Sequence, residues 1–315
     1  MIPHTIQLKK YLIEFQEANL TKKILIQNTF AEAFPMKASR LIITAYSKKW
    51  ALEAANSFTG FATSVIACGC EAGIESILKK SETPDGRPGV SILVFSMSEN
   101  ELAKQILNRA GQCVMTSPTS ALYAGNLGEK KINLGNSLRY FGDGFQISKL
   151  IGEKRLWRIP VMDGEFLCEE FAYQMKAIGG GNFLILGESI DALLKVAEKA
   201  VSEMNKIKNI ILPFPGGIVR SGSKVGSKYK NLIASTNFEY CPSLRGLVKS
   251  KLNQKSNYVL EIVIDGISED DIKKAMRVGI NSIVNSGSEK INAISAGNYG
   301  GKLGPYLFYL KKIML

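Results

Sequence analysis

Histidine is nearly missing from this chain: His4 is the only one in 315 residues. An imidazole-based catalytic triad and a histidine-ligated zinc site are therefore excluded. Cysteine is scarce, odd in number and scattered, at Cys68, Cys70, Cys113, Cys168 and Cys241, mostly inside apolar runs where it acts as a small hydrophobe. Cys68-Gly69-Cys70 is the one close pair. No second pair or histidine cluster completes a site around it, so no metal is expected. No apolar run reaches the ~18 residues that span a bilayer. The first residues lack the charged-then-apolar layout of a secretory signal. These absences lead us to expect a cytoplasmic protein with no membrane-embedded part. Also missing are G-x-x-x-x-G-K-[ST], a G-x-G-x-x-G after a strand, and G-x-S-x-G. That counts against nucleotide phosphoryl transfer, a dinucleotide-dependent dehydrogenase and a serine hydrolase.

Acidic residues are outnumbered, 28 against 40 lysines and arginines, for a formal charge of +12. Such an excess suits acidic partners. It is concentrated: residues 220–256 hold eight basic side chains (Arg220, Lys224, Lys228, Lys230, Arg245, Lys249, Lys251, Lys255) and one acidic, Glu239. This basic segment follows the run Pro213-Phe214-Pro215-Gly216-Gly217-Ile218-Val219-Arg220-Ser221-Gly222-Ser223-Lys224-Val225-Gly226-Ser227-Lys228. Glycine lets backbone approach a ligand closely, and Ser, Lys and free N–H groups bind anionic or carbonyl oxygens. Pro215, Gly216, Gly217, Ser223, Lys224, Ser227 and Lys228 are therefore candidates to hold a negatively charged substrate. The same composition also suits a surface loop.

Composition is otherwise that of a globular chain, 45% hydrophobic and 22% charged, long enough for two lobes. Residues 1–28 read as an appendage, either a short amphipathic helix between Gln7 and Phe15 or a poorly ordered tail. Strands are expected at Leu41–Ala45, Ser64–Cys68, Val90–Phe95 and Gln112–Thr116. Helices are expected after Ser47 and after Ser98, where Ser98 and Glu101 form a capping box. A more irregular middle, about 122–178, carries strands near Trp157–Ile159 and Glu165–Leu167. The pattern then returns: strands at Asn182–Gly187, Asn209–Leu212, Tyr258–Ile264 and Ile291–Ser295, with helices after Ser189 and Ser268. The chain thus reads as an α+β protein of two ferredoxin-like, split β-α-β lobes from an internal duplication. The expected divisions are a 1–28 extension, a 29–150 lobe, and a 151–315 lobe with a basic insertion at 220–256.

Glu261 stands out. It shares a strand face with Val259 and Val263. A carboxylate among apolar neighbours is costly unless paired or neutral, and burial raises its pKa. A protonated Glu can donate to a developing oxyanion or pass a proton; a structural carboxylate paired with an arginine fits the pattern too. Ser235, Thr236 and Asn237 in the insertion could bind a ligand or cap a helix. Thr116, Ser117 and Asn298, small polar residues expected to follow strand ends, are further candidates to line a cleft, with a plain turn as the alternative at each place. A basic protein of this kind could instead bind RNA, but no strand fits the aromatic pattern K/R-G-F/Y-G/A-F-V-x-F/Y. The residues favour an enzyme acting on small anionic substrates.

Specific runs go further. They include Thr29-Phe30-Ala31-Glu32-Ala33-Phe34, Glu82-Thr83-Pro84-Asp85-Gly86-Arg87-Pro88-Gly89-Val90, Gly111-Gln112-Cys113-Val114-Met115-Thr116 and Phe141-Gly142-Asp143-Gly144. Pro213 to Val219, Ser223 to Lys228, Ala234-Ser235-Thr236-Asn237 and Glu261-Ile262-Val263-Ile264 continue the series. Ala275-Met276-Arg277-Val278-Gly279 and Ile294-Ser295-Ala296-Gly297-Asn298-Tyr299-Gly300-Gly301-Lys302-Leu303-Gly304 complete it. From about residue 28 onward the chain strongly resembles formylmethanofuran:tetrahydromethanopterin formyltransferases and their bacterial relatives. The resemblance implies formyl transfer between the amine of a methanofuran-type carrier and a ring amine of tetrahydromethanopterin. Both would be co-substrates bearing carboxylates, and no metal or tightly bound cofactor would be needed. It further implies two ferredoxin-like lobes, a homo-oligomer (dimer or tetramer) with the cleft near a subunit contact, and a catalytic role at the position of Glu261. Bacterial relatives also serve as one subunit of a formyltransferase/hydrolase complex, so a docking or complex subunit is the alternative expectation. Three departures stand: Asn28 where the family tends to have Asp, an extra N-terminal segment, and a basic charge unlike the strongly acidic methanogen relatives.

Overall fold

The computed structural model describes residues 24–125, 128 and 130–315; the helix expected between Gln7 and Phe15 lies outside them. β1 (Leu25–Ile26) precedes the long β2 (Phe30–Thr44), then α1 (Lys48–Thr59), β3 (Glu71–Leu78), β4 (Gly89–Ser96), α2 (Glu99–Arg109) and β5 (Ala121–Ala124). An irregular stretch follows, with β6 (Lys130–Asn133), α3 (Gly135–Leu138), the hairpin β7 (Ile147–Ile151) and β8 (Lys154–Val161), and β9 (Gly164–Glu169). The second half comprises β10 (Phe171–Gly187), α4 (Ile190–Met204), β11 (Ile210–Ile211), the small hairpin β12 (Ser223–Val225) and β13 (Ala234–Thr236), and β14 (Tyr258–Gly266). It ends with α5 (Glu269–Val284), β15 (Ile291–Ser295), β16 (Tyr306–Tyr309) and α6 (Leu310–Met314).

The chain is a mixed α+β protein with two hydrophobic cores. In the first half, four strands lie side by side in the order β5-β2-β4-β3, and in the second in the order β15-β10-β14-β11. Antiparallel pairing of β2 with β10, from Met175 opposite Ala38 to Gly179 opposite Phe34, joins the halves into one sheet. β10 can pass from one half to the other because it bends at Gly179-Gly180-Gly181. There the register shifts and Gly180 takes φ +91°, a value strained for any residue with a Cβ.

Helices α4 and α5 cover one face of the second half. Leu193, Ala197, Val201, Ile272, Met276 and Ile280 pack there against Leu260, Ile262 and Ile264. Each fully buried aliphatic side chain of this kind contributes about 1.5–3 kcal/mol. Helix starts follow the expected serines. Ser47 accepts from the Trp50 N–H, Ser98 from Glu101 and Ser268 from Asp271. The capping box at Ser98 is only half made, since Glu101 accepts from Gln105 instead of turning back (2.8 Å). Ser189 precedes α4 without a side-chain cap.

Two expected strands are not strands. Ser64–Cys68 is a turn in which Ala67 has φ +67° and the Cys68 N–H donates to Val65 O (2.8 Å); the strand begins three residues later, at Glu71. Ser64 N–H is instead spent on Pro213 O across the halves (3.1 Å). Gln112–Thr116 continues α2 as a wide π turn, with Met115 N–H donating to Ala110 O (2.9 Å). Val114 is buried there on a helical face, so its apolar character mimicked a strand.

The seam between halves is polar and buried. Arg40 makes a two-pronged ion pair with Glu75 (both 2.8 Å) and also donates to Asn209 Oδ1 (2.7 Å). Burial opposes the Glu75 charge, but Arg40, Ser91 and the Asn209 N–H outweigh it and hold its pKa below the ordinary value. Nearby, Asp265 is fully buried; its Oδ1 accepts from Gly180 N–H (3.0 Å), while its Oδ2 and Glu71 Oε2 have no donor among the described residues. Burial, then the Glu71 carboxyl, pushes Asp265 well above the usual carboxylate range. A proton kept on Asp265 and directed at the Glu71 carboxylate accounts for both orphaned oxygens.

Candidate active site

β14 alternates. Leu260, Ile262 and Ile264 enter the helix-covered core, so Glu261 faces the opposite side of the sheet with Val259 and Val263. The basic insertion covers that side: Tyr240 and Leu252 pack on Leu184, Leu186, Ala293 and Val259. Leu184 of β10 is the strand partner of both Glu261 and Ser295, so these three residues form a row beneath the insertion. The Ser295 hydroxyl hydrogen-bonds that of Tyr240 (3.2 Å).

Glu261 is half-buried, and no ion pair or side-chain hydrogen bond to it is present among the described residues. Burial alone pushes its carboxyl up to about 7. The arginine-paired alternative is not what the fold provides. A carboxyl poised near neutrality can give or take a proton at working pH.

The glycine-rich loop reaches Glu261 through the backbone. After β11 the chain makes one tight turn at Pro215–Gly217. It then returns to β14, where Val219 and Glu261 exchange both backbone hydrogen bonds (2.7 and 2.9 Å). The two glycines differ. Gly217 (φ +75°) is buried, and a Cβ there would stand 3.0 Å from Val201, so its role is packing. Gly216 (φ +62°) is exposed, with open space where a Cβ would point, so it presents bare backbone to solvent.

Of the candidates in the insertion, Ser223, Lys224, Ser235 and Thr236 lie on the β12–β13 hairpin, with Lys224 opposite Ser235. The Lys224 ammonium sits 5.0 Å from the Phe238 ring centre, and Ser235 donates to Gly226 O (2.7 Å). Asn237 closes the hairpin by donating its N–H to Gly222 O (3.1 Å), and Ser227 Oγ accepts from Tyr229 N–H (3.1 Å). Lys251 is spent on Glu239 (2.7 Å), and Arg245 donates to the carbonyls of Gln254 and Ser256. Arg220, Lys228, Lys230, Lys249 and Lys255 remain exposed and form no ion pair among the described residues.

Two candidates are elsewhere. Thr116, which donates to Gln112 O (2.6 Å), and Ser117 belong to the first half, following a helix and not a strand. They precede β5, whose Ala121 pairs with Thr44 at the far end of β2 from Glu32. Asn298 sits near the site, but its amide is committed to Thr29 Oγ1 (3.2 Å) and Phe30 O (3.0 Å), and its Oδ1 accepts from Gly300 N–H (3.1 Å). Its work is to shape the loop.

Two residues escaped the sequence reading. Glu32 is buried in β2, where its carboxylate accepts four backbone N–H groups. Tyr299 (2.7 Å) and Gly301 (2.9 Å) donate to Oε2, and Leu303 and Gly304 (both 2.6 Å) to Oε1. Burial disfavours its charge, but the N–H groups of Gly304, Tyr299, Leu303 and Gly301 win and lower its pKa. The half-buried Tyr299 phenol is raised by burial, then by the Glu261 and Glu32 charges. Glu32, set among Ala31 and Ala33, carried the same signal as Glu261, a charge inside an apolar strand.

The sequence profile of formylmethanofuran-tetrahydromethanopterin formyltransferase matches residues 20–161, and that of the family's proximal lobe matches residues 164–313. The chain belongs to this formyltransferase family. It is 63% identical over 290 residues to the formylmethanofuran–tetrahydromethanopterin formyltransferase of Methylococcus capsulatus, covering 92% of this chain and 97% of that protein. It is 48% identical to a subunit of the formyltransferase/hydrolase complex of Methylorubrum extorquens (92% and 96% covered). Among solved structures, the Methanosarcina barkeri formyltransferase superposes with a TM-score of 0.87 at 46% identity (92% and 98% covered). A chain of the Methylorubrum extorquens formyltransferase/hydrolase complex with methylofuran superposes at 0.89 and 49% identity (93% and 97% covered). Like these formyltransferases, the chain is a transferase. Among the described residues no group of three or more His, Cys, Asp or Glu side chains is arranged to hold a metal ion, and no helix is long and apolar enough to cross a membrane.

Proposed function

We propose that this chain moves a formyl group between a methanofuran-type carrier amine and tetrahydromethanopterin, with Glu261 as the proton-handling group. Family membership supports the reaction, and the solitary Glu261 carboxyl poised near neutrality supports the place. The attacking amine forms a bond to the formyl carbon, the carbon–nitrogen bond to the first carrier breaks, and one proton passes from attacking to leaving nitrogen. Nothing is oxidised or reduced. A carboxyl with a pKa near 7 can move that proton in either direction. Holding the two carriers in register can lower the barrier by about 7–11 kcal/mol. Gly216, Ser223, Lys224, Ser227, Lys228, Ser235, Thr236 and Asn237 are the proposed walls for the anionic carriers. Pro215 and Gly217 set the loop and Asn298 its neighbour. The exposed cations of the insertion supply the attraction.

Both halves share the strand order 4-1-3-2 around a β-α-β-β-α-β chain, which supports reading them as two ferredoxin-like units from a duplication, the second wearing the basic insertion. We further propose a cytoplasmic homo-oligomer. The edge strand β7 and its surroundings expose Phe141, Phe145, Ile147, Leu150 and Ile151, an apolar surface suited to a second copy. Likeness to the Methylorubrum extorquens complex protein favours one second reading, a chain that works within a formyltransferase/hydrolase complex.

A single-turnover assay on the purified chain tests the first reading. Transfer by the chain alone, lost in Glu261→Gln, supports it; near-wild-type turnover in the variant removes Glu261 from the mechanism. Inactivity of the chain alone, with tight co-purification of other proteins of such a complex, supports the second. Dissociation by Phe145→Asp and Leu150→Asp in light scattering tests the oligomer.

A further inference from the structure

The basic insertion is tied to the sheet at both ends by backbone. Val219 pairs with Glu261 as the chain departs, and Asn257 N–H donates to Gly187 O (2.8 Å) as it returns. Between these ends, Tyr240 and Leu252 pack on the face formed by Leu184, Leu186 and Ala293. Of the two, Tyr240 adds a directed bond: its hydroxyl meets that of Ser295 (3.2 Å), a residue 1% exposed. Ser295 and Glu261 flank Leu184 in register, one on each side. They therefore share one face of the sheet, two strand spacings or roughly 10 Å apart.

Tyr240 is also wired to the hairpin proposed above as a carrier wall. Its N–H donates to Asn237 O (3.0 Å), and Asn237 N–H donates to Gly222 O (3.1 Å), where the β12–β13 hairpin begins. From the other arm of the insertion, Lys251 N–H donates to Glu239 O (2.8 Å), and the Lys251 ammonium pairs with the Glu239 carboxylate (2.7 Å) while lying 5.7 Å from the Tyr240 ring centre. Residues 239 and 240 thus gather both arms, and the phenol tip meets the sheet. Anchoring a segment at its middle as well as its ends removes freedom that a ligand would otherwise have to remove on binding. We infer that Tyr240 is a positioning residue: its bond to Ser295 holds the hairpin bearing Ser223, Lys224, Ser235 and Thr236 in a fixed place over the face that carries Glu261. This rests on the proposed role of that hairpin in holding the anionic carriers. Neither hydroxyl takes part in the proton transfer.

Tyr240→Phe, Ser295→Ala and the double variant test it, each measured per folded molecule. Each single change removes one hydroxyl and keeps the apolar packing. KM for formylmethanofuran and for tetrahydromethanopterin is expected to rise about 3–10-fold in each single variant, the worth of one lost hydrogen bond. The kcat is expected to stay within about twofold, because Glu261 belongs to the sheet and keeps its place. The double variant is expected to be no worse than the poorer single, since both lose the same bond. Amides of 222–251 are expected to exchange with solvent faster by a similar factor in all three, with those of 258–264 unchanged. Losses that multiply, a fall in kcat at constant KM, or a lower melting temperature with KM unchanged overturn the inference. Reversing Lys228 and Lys230 to Glu alongside separates the two readings. A KM that stays level there removes the carrier walls and the inference with them; a KM that rises there but not in the hydroxyl variants removes the Tyr240 role alone.

Discussion

Replacing Glu261 by glutamine should make the protein more stable and less active, and the gain in stability should depend on pH in a defined way. Burial raises the Glu261 carboxyl from 4.5 to about 7. Below pH 4.5 it is protonated in both folded and unfolded chains and has no effect on stability. Between 4.5 and about 7 the unfolded chain gives up the proton and the folded chain keeps it, so stability falls as pH rises. Above 7 the loss is complete. At 1.36 kcal/mol per pH unit the shift corresponds to about 3 kcal/mol. Glutamine has nearly the same shape and no proton to lose. The variant is therefore expected to match the wild type near pH 4.5 and to exceed it by up to about 3 kcal/mol at pH 8.5, roughly 5 °C in melting temperature for a chain of this size. Its kcat is expected to fall by about 10²–10⁴. Scanning fluorimetry across the pH range, paired with single-turnover kinetics, reads both. A stability difference that is constant with pH, or that favours glutamate at pH 8.5, would refute the claim that burial holds Glu261 neutral.

Asp265→Asn should also stabilise the chain at pH 8, by about 1–2 kcal/mol, because an amide satisfies the Glu71 oxygen without a captured proton; thermal melts should show the gain vanishing below about pH 3, under the ordinary Asp range, where the Asp265 carboxyl is protonated in folded and unfolded chains alike. Reversing Lys228 and Lys230 to Glu should raise KM several-fold at about 50 mM salt, with the difference shrinking by about 0.5 M as screening sets in. Steady-state kinetics across salt would reject the electrostatic role if KM stayed level. Gly217→Ala should lower the melting temperature more than Gly216→Ala, since both carry left-handed strain of about 1–2 kcal/mol but only Gly217 also meets Val201. Equal losses in the two variants would contradict the packing role given to Gly217.

Local pattern carried much of this protein. The strands at 90–95, 258–264 and 291–295 and the helices after Ser47, Ser98 and Ser268 were legible because period and capping chemistry are short-range signals. Where two local signals competed, the sequence misled. Val114 and Met115 looked like strand residues, yet the helix before them ran on, because packing on a helical face decides what periodicity over five residues leaves open. Glu261 was readable as a charge out of place.

By itself, then, the sequence determined the alternation of strands and helices, the basic segment, the isolated carboxyl and the family. Tertiary structure decided which surfaces meet. That the insertion folds over the face bearing Glu261, that Val219 returns to pair with it, and that Thr116 and Ser117 lie in the other half all follow from sheet register between distant segments. The Glu32 clamp is the sharpest case. Its four donors lie some 270 positions along the chain, and only closure of the fold brings an acid and six residues of loop into one hydrogen-bonded unit. Side-chain identity tells what a group can bond to; the path of the backbone sets what it finds there.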